Sequence, residues 1–300
     1  MKRKISRAKI LKRTRITLFF IWALMFAFIF IMPTLFTFTN SFMSETELTS
    51  TYGAVLGNVS GGSSYMSESV KLKLIPDMVS FRQYFTVLFQ SPEYLLKFWN
   101  SMILTLPIVA GQVCLAALSS YGFYRYRGKV KNVIFFAYIV IMLMPYQVTL
   151  VPNFLVSDML GIIGTRWAVI LPGLFAPLSV FILTKSMRRI PVAAVEAARL
   201  DGAGEFKIFR KICLPMCKNA LYSVVILTFI DNWNMVEQVL ILLDNPELQP
   251  LSVFLSEINT GEVGVAFAVA TIYMIPPILL FLHGEESLVE GITYQGSVKG

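Results

Sequence analysis

The chain has 300 residues, of which 56% are apolar and only 15% are charged. An average soluble protein has about 25% charged residues, so this composition excludes an ordinary soluble domain and indicates a membrane protein. The formal net charge of +8 does not indicate nucleic-acid binding, because eight basic residues are concentrated at residues 1–15, directly before the first apolar run. At that position they favour contact with anionic lipid.

Six long apolar runs predict six membrane-spanning helices. Each approaches the ~20 residues that a helix needs to cross the ~30 Å hydrocarbon layer, and helices satisfy their own backbone hydrogen bonds in lipid. The predicted spans cover residues 16–39, 98–124, 133–151, 167–183, 220–243 and 265–282. We therefore predict an all-α integral membrane protein with a basic segment at residues 1–15 and a single transmembrane domain at residues 16–300.

The distribution of lysine and arginine predicts the orientation of the spans. Twenty of these residues fall in the N-terminal segment, the connection between spans two and three, the loop between spans four and five, and the C-terminal tail. Five fall on the opposite side. Loops rich in lysine and arginine stay in the cytoplasm, so we expect both termini to be cytoplasmic.

The connection at residues 40–97 is the sizeable external segment of this topology. Its first half is rich in glycine, serine and threonine and predicts a loop. Residues 75–89 have apolar side chains at helical spacing and predict a helix on the outer membrane face. This helix either packs on the spans or contacts a partner, and the sequence leaves both alternatives open.

One glycine-rich segment is a false match to a nucleotide-binding loop. Five residues separate Gly122 from Gly128, where a phosphate-binding loop has four, and Val130 replaces the hydroxyl residue that would bind magnesium. The three cysteines lack the partner residues of a zinc site. We therefore expect no cofactor or metal site in this chain, and no arrangement of catalytic residues stands out.

The loop between spans four and five, at residues 187–219, predicts two short helices joined by a sharp turn. Pro191 suits a first helical position, and residues 192–200 contain four alanines, the best helix formers. Gly202 tolerates the turn, and Asp201 is the predicted N-cap of the second helix. That second helix has an apolar stripe formed by Phe206, Phe209 and Ile212.

This segment resembles the EAA loop of ABC importer permeases. The family pattern is Glu-Ala-Ala, a glycine after three further residues, and then Ile-x-Leu-Pro. The matching residues are Glu196, Ala197, Ala198, Gly202, Ile212, Leu214 and Pro215. The resemblance implies that the loop couples the spans to an ATPase subunit, with Glu196 pairing with a basic residue there. A helical hairpin that only connects two spans is the alternative.

The fifth predicted span contains polar residues, which are costly at membrane depth and often line a solute path. They are Asp231, Asn232, Asn234, Glu237 and Gln238, with the aromatic Trp233 among them. On a continuous helix Asp231, Asn234 and Gln238 share one face. Sugars suit such a mixture of carboxylates, amides and an aromatic ring, so we predict that these residues contact substrate.

Tyr146 and Gln147, beside Pro145 in the third span, are further candidates for the substrate path. All of these polar residues have alternative roles, because they would also suit a water-filled external mouth or hydrogen bonds between helices.

Three other segments are similar to carbohydrate permeases of the same class. They are residues 120–129, residues 231–248 and the tail at 290–300, where Ser297 stands in place of the usual alanine. The resemblance implies a type I importer fold with a second, homologous permease subunit. It also implies two ATP-binding cassette subunits that bind ATP and magnesium, an external solute-binding protein, a carbohydrate substrate and a bacterial cytoplasmic membrane.

Two alternatives remain at this point. An importer permease for a solute other than a sugar would share the EAA loop. A stand-alone secondary transporter would share the spans but would not need a docking loop.

Overall fold

The computed structural model describes residues 7–52, 73–257 and 263–293, and side chains are described within 13–52, 73–257 and 263–288. Throughout these ranges the regular structure is helical, apart from a single antiparallel bridge between Met43 and Val79. The predicted all-α fold is therefore confirmed. The tail motif at 290–300 lies beyond the described side chains.

Four helical stretches are long and apolar enough to cross a membrane. They are Arg13–Asn40, Pro92–Arg125, Arg166–Met187 and Val263–Leu288. Two bent helix pairs raise the number to six if each pair is one span, namely Lys129–Met142 with Tyr146–Met159, and Glu205–Met216 with Lys218–Trp233. The four to six spans agree with the predicted number, although several boundaries and two of the helix paths differ.

The predicted third span, at 133–151, is wrong as a continuous helix. The chain bends by 103° between Lys129–Met142 and Tyr146–Met159. Pro145 is extended, with ψ of 139°, and a residue that precedes proline is disfavoured in the helical region. The helix therefore ends before Pro145 and a new one starts after it.

The predicted fifth span, at 220–243, is also interrupted. Its helix, Lys218–Trp233, ends ten residues early, and a short helix, Glu237–Leu242, follows after a gap at 234–236. The Asn234 side chain donates a hydrogen bond to the Ile230 carbonyl at 2.8 Å. Side-chain bonds of this kind compete with the backbone hydrogen bonds of the helix. Asn234, which was predicted to lie within this helix, is instead the residue at which the helix ends.

The fourth span consists of Arg166–Gly173 and Pro177–Met187, separated by three residues. The helices of the first, second and last spans are longer than predicted at both ends. They are Arg7–Asn40, Pro92–Arg125 and Val263–Thr293. Short helices at Pro246–Leu248 and Leu251–Ser256 follow the fifth span.

The contacts divide the chain into two compact units. The first comprises Met1–Ser91 and Ile258–Ile272. Within it, the predicted external helix at 75–89 begins only at Arg82, as an α-turn, Arg82–Phe85, and a π-helical turn, Thr86–Gln90. The preceding residues bond elsewhere, since the Asp77 N–H donates to Glu47 and the Ser80 N–H to the Phe42 carbonyl.

The second unit comprises Pro92–Glu257 and Tyr273–Gly300 and contains all the candidate site residues. Its helices approach closely where side chains are small. A methyl group added to Gly173 would lie 3.1 Å from the Ile108 side chain, and small residues are what allow helices in membranes to pack at short distance.

Candidate functional site

The first helix of the loop, Val192–Leu200, has the predicted bounds; we call it the coupling helix. It contacts the rest of the unit mainly through Val195, which is 3% exposed. Glu196 and Ala197 face outwards, and Leu200 is 90% exposed. One side of this helix is therefore anchored, and the other is free to contact a partner.

The turn after the coupling helix is a Schellman motif. Gly202 has a φ of +77°, and its N–H donates to the Arg199 carbonyl at 3.0 Å. The Ala203 N–H donates to the Ala198 carbonyl at 2.9 Å, and Ala198 and Ala203 both pack against the buried core. The glycine is required here because the left-handed conformation is strained for other residues.

Asp201 is not the N-cap of the second helix, as predicted, but the C-cap of the coupling helix. The Schellman turn takes up Gly202 and Ala203, so the next helix, Glu205–Ile208, starts only after Gly204. Asp201 stays exposed and forms no described side-chain bond. The two helices are joined as predicted, but with a longer turn.

Glu205 connects three segments of the chain. Its carboxylate accepts hydrogen bonds from the Tyr121 hydroxyl, from Arg125 Nε at 3.0 Å and from Arg199 Nε at 3.2 Å. The bond from Tyr121 is the largest cause that holds the pKa of the Glu205 carboxyl below its usual range; desolvation opposes it, and the bond from Arg125 and the charges of Arg199 and Arg125 add to the lowering. The acid is thus ionised at neutral pH and ties the loop to the end of the second span helix.

The return path to the fifth span contains Ile212, Leu214 and Pro215. Ile212 and Leu214 pack against the buried core, whereas Pro215 is exposed. Proline has no N–H to donate to the carbonyl four residues earlier, and a π-helical turn, Phe209–Cys213, precedes it. The chain then bends by 77° into Lys218–Trp233.

A single buried cluster connects this loop to the spans. Val195 and Ile208 of the loop pack with residues of the second, fourth and fifth span helices, represented by Ala117, Leu183 and Val224. Protein interiors are close-packed and transmit displacement. A force on the coupling helix is therefore passed directly to three spans.

The aromatic candidate of the fifth span lies in the core. Trp233 is 1% exposed, its ring stacks between Phe229 and Tyr273 with centroids 5.3 and 5.2 Å away, and its N–H donates to the Tyr273 carbonyl at 3.2 Å. In this conformation its faces are covered by protein, so the indole supports the interrupted helix end and presents no face to a sugar.

Asn232 points into the bundle. Its amide donates to the Thr228 carbonyl at 2.7 Å and lies 3.4 Å from the Gln112 oxygen, while Gln112 itself donates to the Gly173 carbonyl. Thr105 donates to the Asn232 carbonyl at 3.3 Å. The contacts with Gln112 and Thr105 join Asn232 to the second span helix, which is the alternative explanation for this residue. The bond to Thr228, in contrast, lies within its own helix.

The remaining candidates meet at the two helix interruptions. Gln147 donates to Glu237 at 3.3 Å, and Tyr146 lies next to Gln238, Asn153 and Glu237. Residues predicted separately in the third and fifth spans are thus brought together into one polar group, which we call the interruption cluster (Tyr146, Gln147, Asn153, Glu237 and Gln238). A group of hydroxyl, amide and carboxylate side chains can bind a polyhydroxyl solute.

Asp231 and Asn234 are exposed, but the predicted shared face with Gln238 is wrong. The helix ends at Trp233, so Gln238 belongs to a separate short helix. The Asn234 side-chain oxygen lies 2.9 Å from the Tyr273 hydroxyl, next to the fifth span's end.

Sequence reasoning missed Gln112, Asn153, Tyr121, Arg125 and Glu205 as site residues. Gln112 could have been found, because a lone amide inside an apolar span usually faces other helices. Tyr121 and Arg125 lie in the 120–129 segment that resembles carbohydrate permeases. Their partner Glu205 is 80 or more positions away, and no local signal links them.

Comparison with known proteins gives a family. Residues 112–283 match the profile described as "Binding-protein-dependent transport system inner membrane component". This stretch includes the coupling helix, the Glu205 contacts and the interruption cluster.

Individual relatives are permease proteins of transport systems. The arabinooligosaccharides transport system permease protein AraQ of Bacillus subtilis is 30% identical over 252 residues, which are 82% of this chain and 88% of AraQ. The sn-glycerol-3-phosphate transport system permease protein UgpE of Salmonella typhi is 26% identical over 207 residues, which are 67% of this chain and 74% of UgpE.

A solved structure has the same fold. A chain of a bacterial ABC transporter involved in the import of the acidic polysaccharide alginate aligns with a TM-score of 0.73 at 20% sequence identity. The alignment covers 95% of this chain and 99% of that one. At this identity the likeness concerns the fold alone.

Proposed function

The chain belongs to the family of binding-protein-dependent transport system inner membrane components, and we propose that it is the permease subunit of an ATP-driven importer of carbohydrate. It forms half of the translocation path, with a homologous permease as the other half. An external solute-binding protein delivers the substrate. The AraQ relative, named for arabinooligosaccharides, supports carbohydrate as the substrate class.

The observation that carries the proposal is the exposed side of the coupling helix. Leu200 is 90% exposed and Phe206, just after the turn, is 70% exposed, although both lie outside the predicted spans. They lie on either side of the turn that ends the coupling helix, and large apolar side chains exposed together outside the spans are typical of a contact surface. A cleft in an ATP-binding cassette subunit would cover them, and the outward-facing Glu196 would pair with a basic residue in that cleft.

The mechanism follows from the anchored side of the same helix. Two ATPase subunits bind ATP and magnesium and approach each other, which displaces the coupling helix. Val195 and the Glu205 contacts pass this displacement to the second, fourth and fifth span helices. The spans then alternate between openings to the two sides of a bacterial cytoplasmic membrane, with both termini in the cytoplasm. This chain contributes no catalytic residue to ATP hydrolysis.

The substrate path runs past the interruption cluster. Polar side chains at membrane depth line solute paths, and non-helical backbone at such depth is tolerated where it lines a cavity. Both conditions meet where the third and fifth spans are interrupted. Asp231 and Asn234, which are exposed at the end of the fifth span helix, are further polar side chains close in sequence to the same interruption.

A phosphorylated polyol is the second candidate substrate, because the UgpE relative is named for sn-glycerol-3-phosphate. Measuring ATP-dependent uptake of labelled arabinooligosaccharide and of glycerol 3-phosphate, by the complete complex in liposomes, separates the two. Uptake of neither would leave the importer with a different substrate, whereas transport by this chain alone without ATP would contradict the importer assignment.

The docking surface is tested by Leu200→Ser in the complete complex. We expect loss of the ATPase subunits on purification and loss of ATP-driven uptake. Leu160→Ser is the matched control, because Leu160 is also an exposed leucine but follows the helix Tyr146–Met159, far from the loop in sequence. Equal retention of the ATPase by both variants would overturn the docking surface.

A further inference from the structure

We propose that Lys185 and Arg188 form a binding site for the phosphate group of an anionic phospholipid. Both belong to the end of the helix Pro177–Met187 that leads into the coupling helix. They are exposed and serve neither the coupling surface nor the interruption cluster. The proposal goes beyond the transport function, since it requires only that the chain is embedded in a bilayer.

Two stacked aromatic rings hold the cations in place. Lys185 Nζ lies 5.4 Å from the ring centroid of Phe181, and the Arg188 guanidinium carbon lies 4.8 Å from that of Phe135. The two rings are themselves stacked, with centroids 6.1 Å apart and an angle of 14°. Since a cation within about 6 Å of a ring is attracted to its face, each positive charge is held by one ring of the same stacked pair.

The stacked pair is itself fixed by packing. Phe135 is buried, and Phe123 of the second span helix packs edge-on against it with a centroid distance of 5.3 Å. A buried ring packed between two helices restricts the side chains above it. The arrangement is therefore a formed site, unlike a pair of freely moving surface cations.

No described acidic group neutralises these charges. In the described part of the chain the ion pairs of basic residues involve Lys73, Arg125 and Arg199. No described residue accepts a hydrogen bond from Lys185 or from the Arg188 guanidinium. A guanidinium that rests on a ring keeps its N–H groups directed outward along its edges, where they can donate to an oxyanion.

The helix that carries Phe135 adds a further cation and an exposed apolar surface. Lys131 precedes Phe135 by four positions on the helix Lys129–Met142, so the two lie on the same helix face. Val133 and Phe136 of that helix are exposed apolar side chains. Phosphate oxygens fit the cations, and acyl chains fit the neighbouring apolar surface. Basic pockets between spanning helices are known to take lipid head groups of this charge.

The test uses the complete complex in nanodiscs of phosphatidylcholine mixed with phosphatidylglycerol, with retained lipid counted by native mass spectrometry. Lys185→Gln/Arg188→Gln is compared with Arg13→Gln/Arg15→Gln, which removes the same charge from the first span helix and so controls for diffuse attraction. We expect the first variant to lose clearly more retained phosphatidylglycerol than the control, whose loss is limited to the roughly fivefold per cation that diffuse attraction to the membrane surface gives.

Retention by Lys185→Gln/Arg188→Gln at the unsubstituted level would overturn the proposal and leave the cations a role in orientation or in balancing the helix dipole. Displacement of the lipid by inorganic phosphate alone would assign the site to free phosphate and overturn the lipid source. If the variant does not fold, the site is tested by photolabelling the unsubstituted protein with a photoreactive phosphatidylglycerol. Labelling must then fall on Lys129–Met142 and Pro177–Met187, and labelling elsewhere contradicts the site.

Discussion

The coupling helix and the fifth span carry the two groups of site residues, and they differ in how their local sequence relates to their structure. The coupling helix has the bounds 192–200 that its alanines and Gly202 predict. The fifth span stops at Trp233, in the middle of a predicted apolar run. The first is decided by neighbours in sequence and the second by neighbours in space, so the two regions respond differently to substitution.

The largest expected effect is that of Trp233→Ala. Replacing a fully buried tryptophan by alanine costs about 3–5 kcal/mol of stability, and here it also removes the stacking on Phe229 and Tyr273. We expect the thermal unfolding temperature of the detergent-solubilised protein to fall strongly, with or without carbohydrate. Trp233→Phe is the control, since it keeps an aromatic ring and loses the bond to the Tyr273 carbonyl. If Trp233→Phe changed the affinity for carbohydrate without changing the stability, Trp233 would be a substrate-contacting residue after all.

Gly202→Val comes next, because it forces a β-branched residue into a left-handed conformation at a cost of about 1–3 kcal/mol. The Schellman turn would open and move the coupling helix, so ATP-driven uptake in liposomes should fall while carbohydrate binding persists. Gly204→Ala is the matched control, since Gly204 has a φ of −69° and, like Gly202, open space around it. Equal uptake by the two variants would show that the turn does not position the helix.

Gln112→Leu separates the buried amides from the interruption cluster. It leaves the Gly173 carbonyl without its donor, and hydrogen bonds between membrane helices are worth about 0.6 kcal/mol on average. We expect a small loss of thermal stability and little change in substrate selectivity. Gln147→Leu should do the reverse, because its exposed amide contacts only Glu237 among described residues. The opposite pattern would exchange the roles assigned to the two glutamines.

The smallest effect is expected of Glu205→Gln, because its carboxylate is nearly half exposed and exposed ion pairs contribute about 0.2–1 kcal/mol. The folded pKa of Glu205 lies below the unfolded value. Its contribution is therefore complete above the unfolded pKa and disappears as the pH falls through the folded pKa. Stability of the unsubstituted protein and of Glu205→Gln, measured across acid pH, should differ at neutrality and converge on acidification. A difference that stays constant across this pH range would exclude ionisation of Glu205 as the cause.

Sequence therefore predicts those parts of the site whose causes are local. Alanine content, a glycine at the helix end and the position of Pro215 are all readable within one loop. The ends of the third and fifth spans are less accessible, since Asn234 caps its helix only where Trp233 is packed against Tyr273, 40 positions away. The pairing of Glu205 with Tyr121 and Arg125 has the same origin in tertiary contact. The prediction that Asp201 is an N-cap was wrong because an aspartate between two helices can follow the first helix as well as precede the second.

The burial of Trp233 has an optical consequence. Of the four tryptophans, Trp22, Trp99 and Trp167 are exposed on the surface of the chain, whereas Trp233 is enclosed by aromatic rings. Replacing the three exposed tryptophans by phenylalanine leaves a single tryptophan, at the interruption of the fifth span, which can be excited selectively over the tyrosines. Its emission maximum and its quenching by water-soluble iodide would then report, without an attached dye, whether this helix end opens when ATP is hydrolysed.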